Sequence, residues 1–209
     1  MADRFADYDV LAGRDTPSWN AKTRAVIEER LALGVPDGVL TPTQLATLRA
    51  VIDRLCPDPA GRPTATTLAM IVHKIAAEAR DGYRHHRLPP TGECWRRGLD
   101  AIEAEAQARH GAAFAALSDD EADNLLRLVS QGEMRASEWN DLPPKLFWHW
   151  RLVPDCVAAH WAQPSLWSAM GFGGPAAPRG YVRTGIDRRD PWEAIESGEP
   201  LRGLPKHRG

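Results

Sequence analysis

His149, Cys156 and His160 are the side chains whose types and spacing come closest to a chemical centre. They stand at i, i+7 and i+11, one face of an unbroken helix. Two imidazoles and a thiolate would suit zinc. Pro154 lies between them and disturbs the register, which leaves Cys156 and His160 as an i, i+4 pair. The competing reading is packing beside Trp150 and Trp161, with a buried histidine bonded to backbone. His85 and His86 are adjacent, so they point apart on regular backbone and fit a solvated turn rather than a ligand pair.

Other chemistries find less support. Gly171-Phe172-Gly173-Gly174-Pro175 has the glycine density of a phosphate loop. It lacks an apolar strand before it and a helix after it, and Pro175 removes an amide donor. There is no Gly-x-Ser-x-Gly elbow, and Cys56, Cys94 and Cys156 carry no local nucleophile signature. Whether any two of these cysteines pair is left open by their spacing. Asp119-Asp120-Glu121 opens a helical pattern, where carboxylates favour the positive end of the dipole. No catalytic, cofactor or metal residue is therefore expected on this chain, with the His149/Cys156/His160 metalloprotein kept as the alternative.

The tryptophans are more informative. Of 8 in the chain, five lie between Trp139 and Trp167. They form either a Trp-rich corner of the chain's own core or an interface, where Trp is enriched and its N–H finds a partner. The stretch 161–181 holds four Gly, three Pro and four aromatics. That mixture, in a loop too long for a plain connector, favours an interface. The expected partner-binding residues are Tyr8, Trp19, Trp161, Trp167, Phe172, Gly174, Pro175, Arg179 and Tyr181.

The elements that must position these residues read as helices. Residues 1–16 form a polar arm, expected to be extended. Pro17-Ser18 opens a helix to about Leu33. Thr41-Pro42-Thr43-Gln44 is a capping-box start, and Leu45, Leu48, Val51, Ile52 and Leu55 follow at helical spacing up to Cys56-Pro57. A third helix runs from Thr64 to about Asp81 on Leu68, Ile71, Val72 and Ile75. A fourth runs from Thr91 to about His110, and a fifth from the Ser118–Glu121 box to Gln131. A sixth starts at Pro143-Pro144 and is kinked or broken at Pro154. Residues 17–160 show no period-2 strand. The expectation is an all-α array of about six helices, with an arm over 1–16, a helical domain over 17–160, and an irregular Gly/Pro/Trp-rich segment over 161–209. That last segment packs on the same domain or on a partner.

Composition agrees with one folded unit plus arms. The 209 residues are 43% hydrophobic and 26% charged, with 26 Lys+Arg against 28 Asp+Glu and a net charge of -2. That balance argues against nucleic-acid binding and against a polybasic membrane-surface protein. No apolar run approaches the roughly 20 residues of a bilayer span. Met1–Val10 has no cationic stretch followed by an apolar one, so no secretory signal is expected.

Tyr8 to Asn20, Pro164 to Tyr181, the Thr41-Pro42 to Cys56-Pro57 helix and Phe114 to Leu117 together resemble the gluconate 2-dehydrogenase subunit 3 family. The Gly-Gly-Pro-x-x-Pro-Arg-Gly-Tyr block ending at Tyr181 is the most specific part, and the resemblance spans about residues 8–192. It implies a small, non-catalytic subunit of a membrane-associated sugar or polyol dehydrogenase. The implied partner is a glucose-methanol-choline type flavoprotein carrying FAD and the active site, often with a haem-bearing cytochrome c subunit. The small subunit would help the flavoprotein fold, stay stable or be exported. Many relatives carry a twin-arginine signal, whereas this sequence starts at the arm. The complex is therefore expected either at the periplasmic face of the inner membrane, through its partner, or in the cytoplasm.

Overall fold

A computed structural model describes residues 4–59, 61–62, 66–79, 84–175 and 194. Among them lie eight α-helices and no strand: α1 (Ala21–Leu31), α2 (Pro42–Leu55), α3 (Thr66–Ala76), α4 (Thr91–His110), α5 (Asp119–Gln131), α6 (Pro144–Phe147), α7 (Val153–Trp161) and α8 (Pro164–Trp167). The all-α expectation holds. The chain divides into two compact units. One comprises residues 1–32, 58–64 and 161–209, and the other residues 33–57 and 65–160.

In the second unit α4 is the central element, packed against α2, α3 and α6. Its buried face carries Trp95, Leu99 and Ile102 against Leu48, Val51 and Ile52 of α2, Ile71, Val72 and Ile75 of α3, and Phe147. Gly98 makes the Phe147 contact possible. A Cβ there would sit 2.2 Å from the Phe147 ring, so only hydrogen lets the ring lie on the α4 backbone.

The capping signals are real. Gln44 N donates to Thr41 Oγ1 at 3.2 Å and Thr41 N donates back to Gln44 Oε1 at 3.0 Å. Gln44 also donates to Asp100 at 2.9 Å, so the cap of α2 is tied to α4. Ser118 N and Oγ both donate to Glu121 at the start of α5.

Three boundaries differ from the sequence expectation, each for a local reason. α1 starts at Ala21, because the Asn20 side chain accepts from Thr23 N at 2.8 Å and takes the cap. α3 stops at Ala76 rather than near Asp81. Glu78 enters the left-handed region at φ 47, and its carboxylate accepts the Gly92 N–H at 3.0 Å near the start of α4. The sixth helix, expected to be kinked or broken at Pro154, is not broken there. The five residues Trp148–Leu152 wind as a π-helical turn, with Val153 N–H reaching back to Trp148 O. The wider turn shifts the ladder ahead of the proline, which has no N–H to give, and helical structure continues to Trp161. Within the arm, Val10–Asp15 forms a short 3-10 helix capped by Asp9.

Candidate partner-binding surface

In the first unit, the arm and the 161–175 segment build one small core. Val10, Trp19, Ile27 and Trp167 are buried together, with Tyr8, Leu11 and Leu31 half-buried around them. Polar contacts fix the arm in place. Val10 N donates to the buried Ser168 Oγ at 3.0 Å, and Arg62 donates to the carbonyls of Phe5 and Tyr8 at 2.9 and 3.1 Å. Arg24 donates to Trp19 O at 2.7 Å, and Trp167 Nε1 donates to Trp161 O at 3.2 Å.

The glycines of the 171–175 loop serve this packing. Gly174 has φ +74, and a Cβ on it would meet Val10 at 2.7 Å and Trp19 at 3.0 Å. Gly171 has φ +68 and faces the Phe5 ring in the same way. At both positions a side chain would run into residues of the arm, so the packing of the arm requires glycine there. A recess lined by Leu11, Trp19, Ile27 and Leu31 offers room for no more than about one water, far below a ligand pocket.

The outside of this unit is apolar at several points. Trp161 is 40% exposed and Phe172 39% exposed, and Met170 and Val26 are exposed as well. Phe172 stands edge-on to the buried Trp167, with ring centres 5.4 Å apart, so an outward aromatic rests on an inward one. The residues named from sequence therefore fall into three groups. Trp161 and Phe172 lie on the surface, with Tyr8 and Pro175 half-buried. Trp19, Trp167 and Gly174 are buried within the chain's own unit. Arg179 and Tyr181 lie outside the described residues.

The second unit settles the geometry of the alternative site. His149 is exposed, while Cys156 and His160 are buried. His160 Nδ1 is in hydrogen-bond contact with Thr67 Oγ1 at 3.4 Å. Burial pushes the Cys156 thiol well above its ordinary pKa. Among the described residues, no three His, Cys, Asp or Glu side chains are grouped to hold a metal. Cys56, Cys94 and Cys156 are all buried and free.

Sequence reasoning missed the polar centre that this helix does build. The Asp155 carboxylate is buried and accepts from Lys74 Nζ at 2.8 Å, Trp95 Nε1 at 2.9 Å and Arg151 at 3.2 Å. A second buried carboxylate, Glu105, accepts from Arg109 and from the backbone N–H groups of Arg135 and Ala136. Burial would raise the Glu105 pKa, but those backbone bonds and Arg109 outweigh it and hold the carboxyl below the usual value of 4.5. Both carboxylates are satisfied by the fold itself. The i, i+4 spacing of Arg151 and Asp155 inside an apolar run was the available signal.

The described residues thus form a small all-helical protein whose two buried carboxylates are held by its own side chains and backbone, and which carries Trp161 and Phe172 on its surface. Residues 42–174 match the family described as gluconate 2-dehydrogenase subunit 3, and the chain belongs to that family. The match takes in α2, most of the second unit and the loop to Gly174. No curated protein matches the chain, and no solved structure does. The family is that of a subunit within a multi-subunit gluconate dehydrogenase complex, an accessory role in an oxidoreductase. Among the described residues, no helix is long and apolar enough to cross a membrane.

Proposed function

We propose that this chain is a non-catalytic subunit that binds and stabilises a FAD-containing catalytic subunit of the glucose-methanol-choline type. The arm and the 161–181 segment form the contact surface. The observation that carries the reading is the exposure of Trp161, Met170 and Phe172 beside the buried Val10, Trp19, Ile27 and Trp167 cluster among the described residues. A permanent partner covering that exposed apolar rim would add to the stability of the unit. FAD would reside on the partner, since the glycine loop here is packed with side chains. A cytochrome c subunit with haem would take the electrons, and the small subunit would support folding or export of the flavoprotein.

The surface residues Trp161 and Phe172 would contact the partner directly. The buried Trp19 and Trp167 would hold them in place from beneath. The test is co-expression with a glucose-methanol-choline type flavoprotein from the same genome. Wild-type chain should yield flavin-loaded dehydrogenase in a co-purifying complex, and the Trp161→Asp/Phe172→Asp double variant should lose that complex while remaining folded. Flavin loading that is equal with and without the chain, and no co-purification, would refute the proposal and favour a scaffold unrelated to redox chemistry.

A further inference from the structure

Within the first unit, the N-terminal arm and the loop over residues 168–174 shape each other. The short 3-10 helix of the arm, Val10–Asp15, packs against α8, and Val10 N donates to the buried Ser168 Oγ at 3.0 Å across 158 residues of chain. Gly171 and Gly174 both have left-handed backbone. A Cβ on the first would meet the Phe5 ring at 2.5 Å, and one on the second would meet Val10 at 2.7 Å. At both bends, then, the space a side chain would need is occupied by the arm. Arg62, from a third stretch of the chain, donates to Phe5 O and Tyr8 O and fastens the arm as well.

Neither half of this contact is built to hold its shape alone. A six-residue 3-10 helix is far below the roughly 12–15 residues at which an isolated helix becomes even marginal in water. The loop contains two left-handed glycines, and glycine loses more backbone freedom on ordering than any other residue. Backbone bonds inside the loop are short-range, from Gly171 N–H to Ser168 O and from Phe172 N–H to Trp167 O. The Val10–Ser168 bond and the packing of Phe5, Val10 and Trp19 against the two glycines tie it to the far end of the chain.

We propose that the arm is a clasp for the 168–174 loop. The two segments order together, and the apolar rim at Met170 and Phe172 takes its fixed shape only once the arm has docked. The arm is synthesised first and its contact lies 158 residues further on, so the clasp closes only on a chain made through Gly174. A truncated or still-growing chain lacks the fixed rim. This rests on the accessory-subunit reading, in which that rim meets the partner, and deepens it by making partner binding conditional on both ends of the unit being present. α8 depends less on the arm than the loop does, because it also packs against α1.

The experiment is hydrogen–deuterium exchange on the full chain alone, read by mass spectrometry. Val10→Asp places a charge in the buried arm contact. It should speed exchange in the 168–174 peptide about tenfold, with a smaller change in α1 and the parent rate kept in α2 and α4. Ser168→Ala is milder and removes the acceptor of Val10 N–H. It should speed exchange in residues 8–12 several-fold, since coupling between two sites is reciprocal. Unchanged exchange over 168–174 in Val10→Asp overturns the clasp, and so does equal acceleration throughout α1 and α8, which marks unfolding of the whole unit. If Val10→Asp also unfolds α2 and α4, Ser168→Ala decides alone, and unchanged exchange over residues 8–12 then overturns the clasp. Co-expression of the parent chain with the flavoprotein keeps the two readings apart. Coupled exchange without co-purification overturns the accessory role and leaves the clasp, and co-purification with uncoupled exchange does the reverse.

Discussion

Asp155→Asn is the sharpest probe of how the second unit is held together. The substitution keeps the shape of the side chain and removes its charge. Asp155 accepts from Lys74, Trp95 and Arg151, and it is buried together with Trp95 and Arg151. Breaking a buried ion pair by neutralising one partner costs about 3–5 kcal/mol, because the remaining charge stays in a poor solvent. Lys74 is 22% exposed and can turn toward water, which places the expected loss near the lower end, about 3 kcal/mol. For a chain of this size each kcal/mol moves the midpoint by about 2–4 °C, so thermal unfolding followed by circular dichroism should fall by roughly 6–12 °C. Trp95→Phe removes one donor to the same carboxylate and should give a smaller drop. An Asp155→Asn midpoint within about 2 °C of the parent, equivalent to less than about 1 kcal/mol, would refute the reasoning. It would show that the asparagine amide and local water replace the charge.

Four other outcomes follow from the same structure. Gly98→Ala should destabilise the protein although alanine is the better helix former, because its Cβ would overlap the Phe147 ring; a raised midpoint would contradict the packing. Gly174→Ala should loosen the arm, since it combines a clash with Val10 and Trp19 with a left-handed backbone, and limited proteolysis should then cut within residues 4–20 faster than in the parent. The thiols should be nearly inert in the folded chain, because burial raises all three, Cys94 to about 12; a thiol-disulfide reagent near neutral pH should label three cysteines only after denaturation. Glu105 has a lower pKa folded than unfolded, so the unfolded chain takes up its proton first as pH falls. The stabilisation is present above 4.5 and is lost on acidification through the lower folded value, and Glu105→Gln should flatten that part of an acid-unfolding curve.

How much of this was legible in the sequence depended on the range of the interaction. α2 and α5 could be read to within a residue, because their capping boxes and apolar stripes are local patterns. The end of α3 could not, since it is set by a contact between Glu78 and Gly92, 14 residues away. The course past Pro154 depended on whether neighbouring packing would support a π turn, and proline alone permits either a break or a continuation. Only the Arg151 donor to Asp155, four residues away, was within reach of a sequence window; Lys74 and Trp95 lie 81 and 60 positions earlier, so its identity as a hub was not legible. The aromatic and glycine density of 161–175 favours an interface over a core corner on sequence alone, and in the structure part of it, Trp167 and Gly174, packs within the chain's own unit. It could not separate the outward Trp161 and Phe172 from the inward Trp19 and Trp167, because that division depends on where the arm lies.

The described residues keep several ions inside and several aromatics outside. The charged residues that reach the interior, Asp155, Arg151 and Glu105, are paired or hydrogen-bonded and hold helices in one arrangement. Trp95, Phe114 and Phe147 fill the interior beside them, while Trp150, Trp161 and Phe172 stand exposed. Ions inside and apolar area in water both cost an isolated protein stability. In the proposed accessory role, a larger subunit that removes that apolar area from water would offset the cost, and the stability of the chain and the assembly of the complex would become one equilibrium.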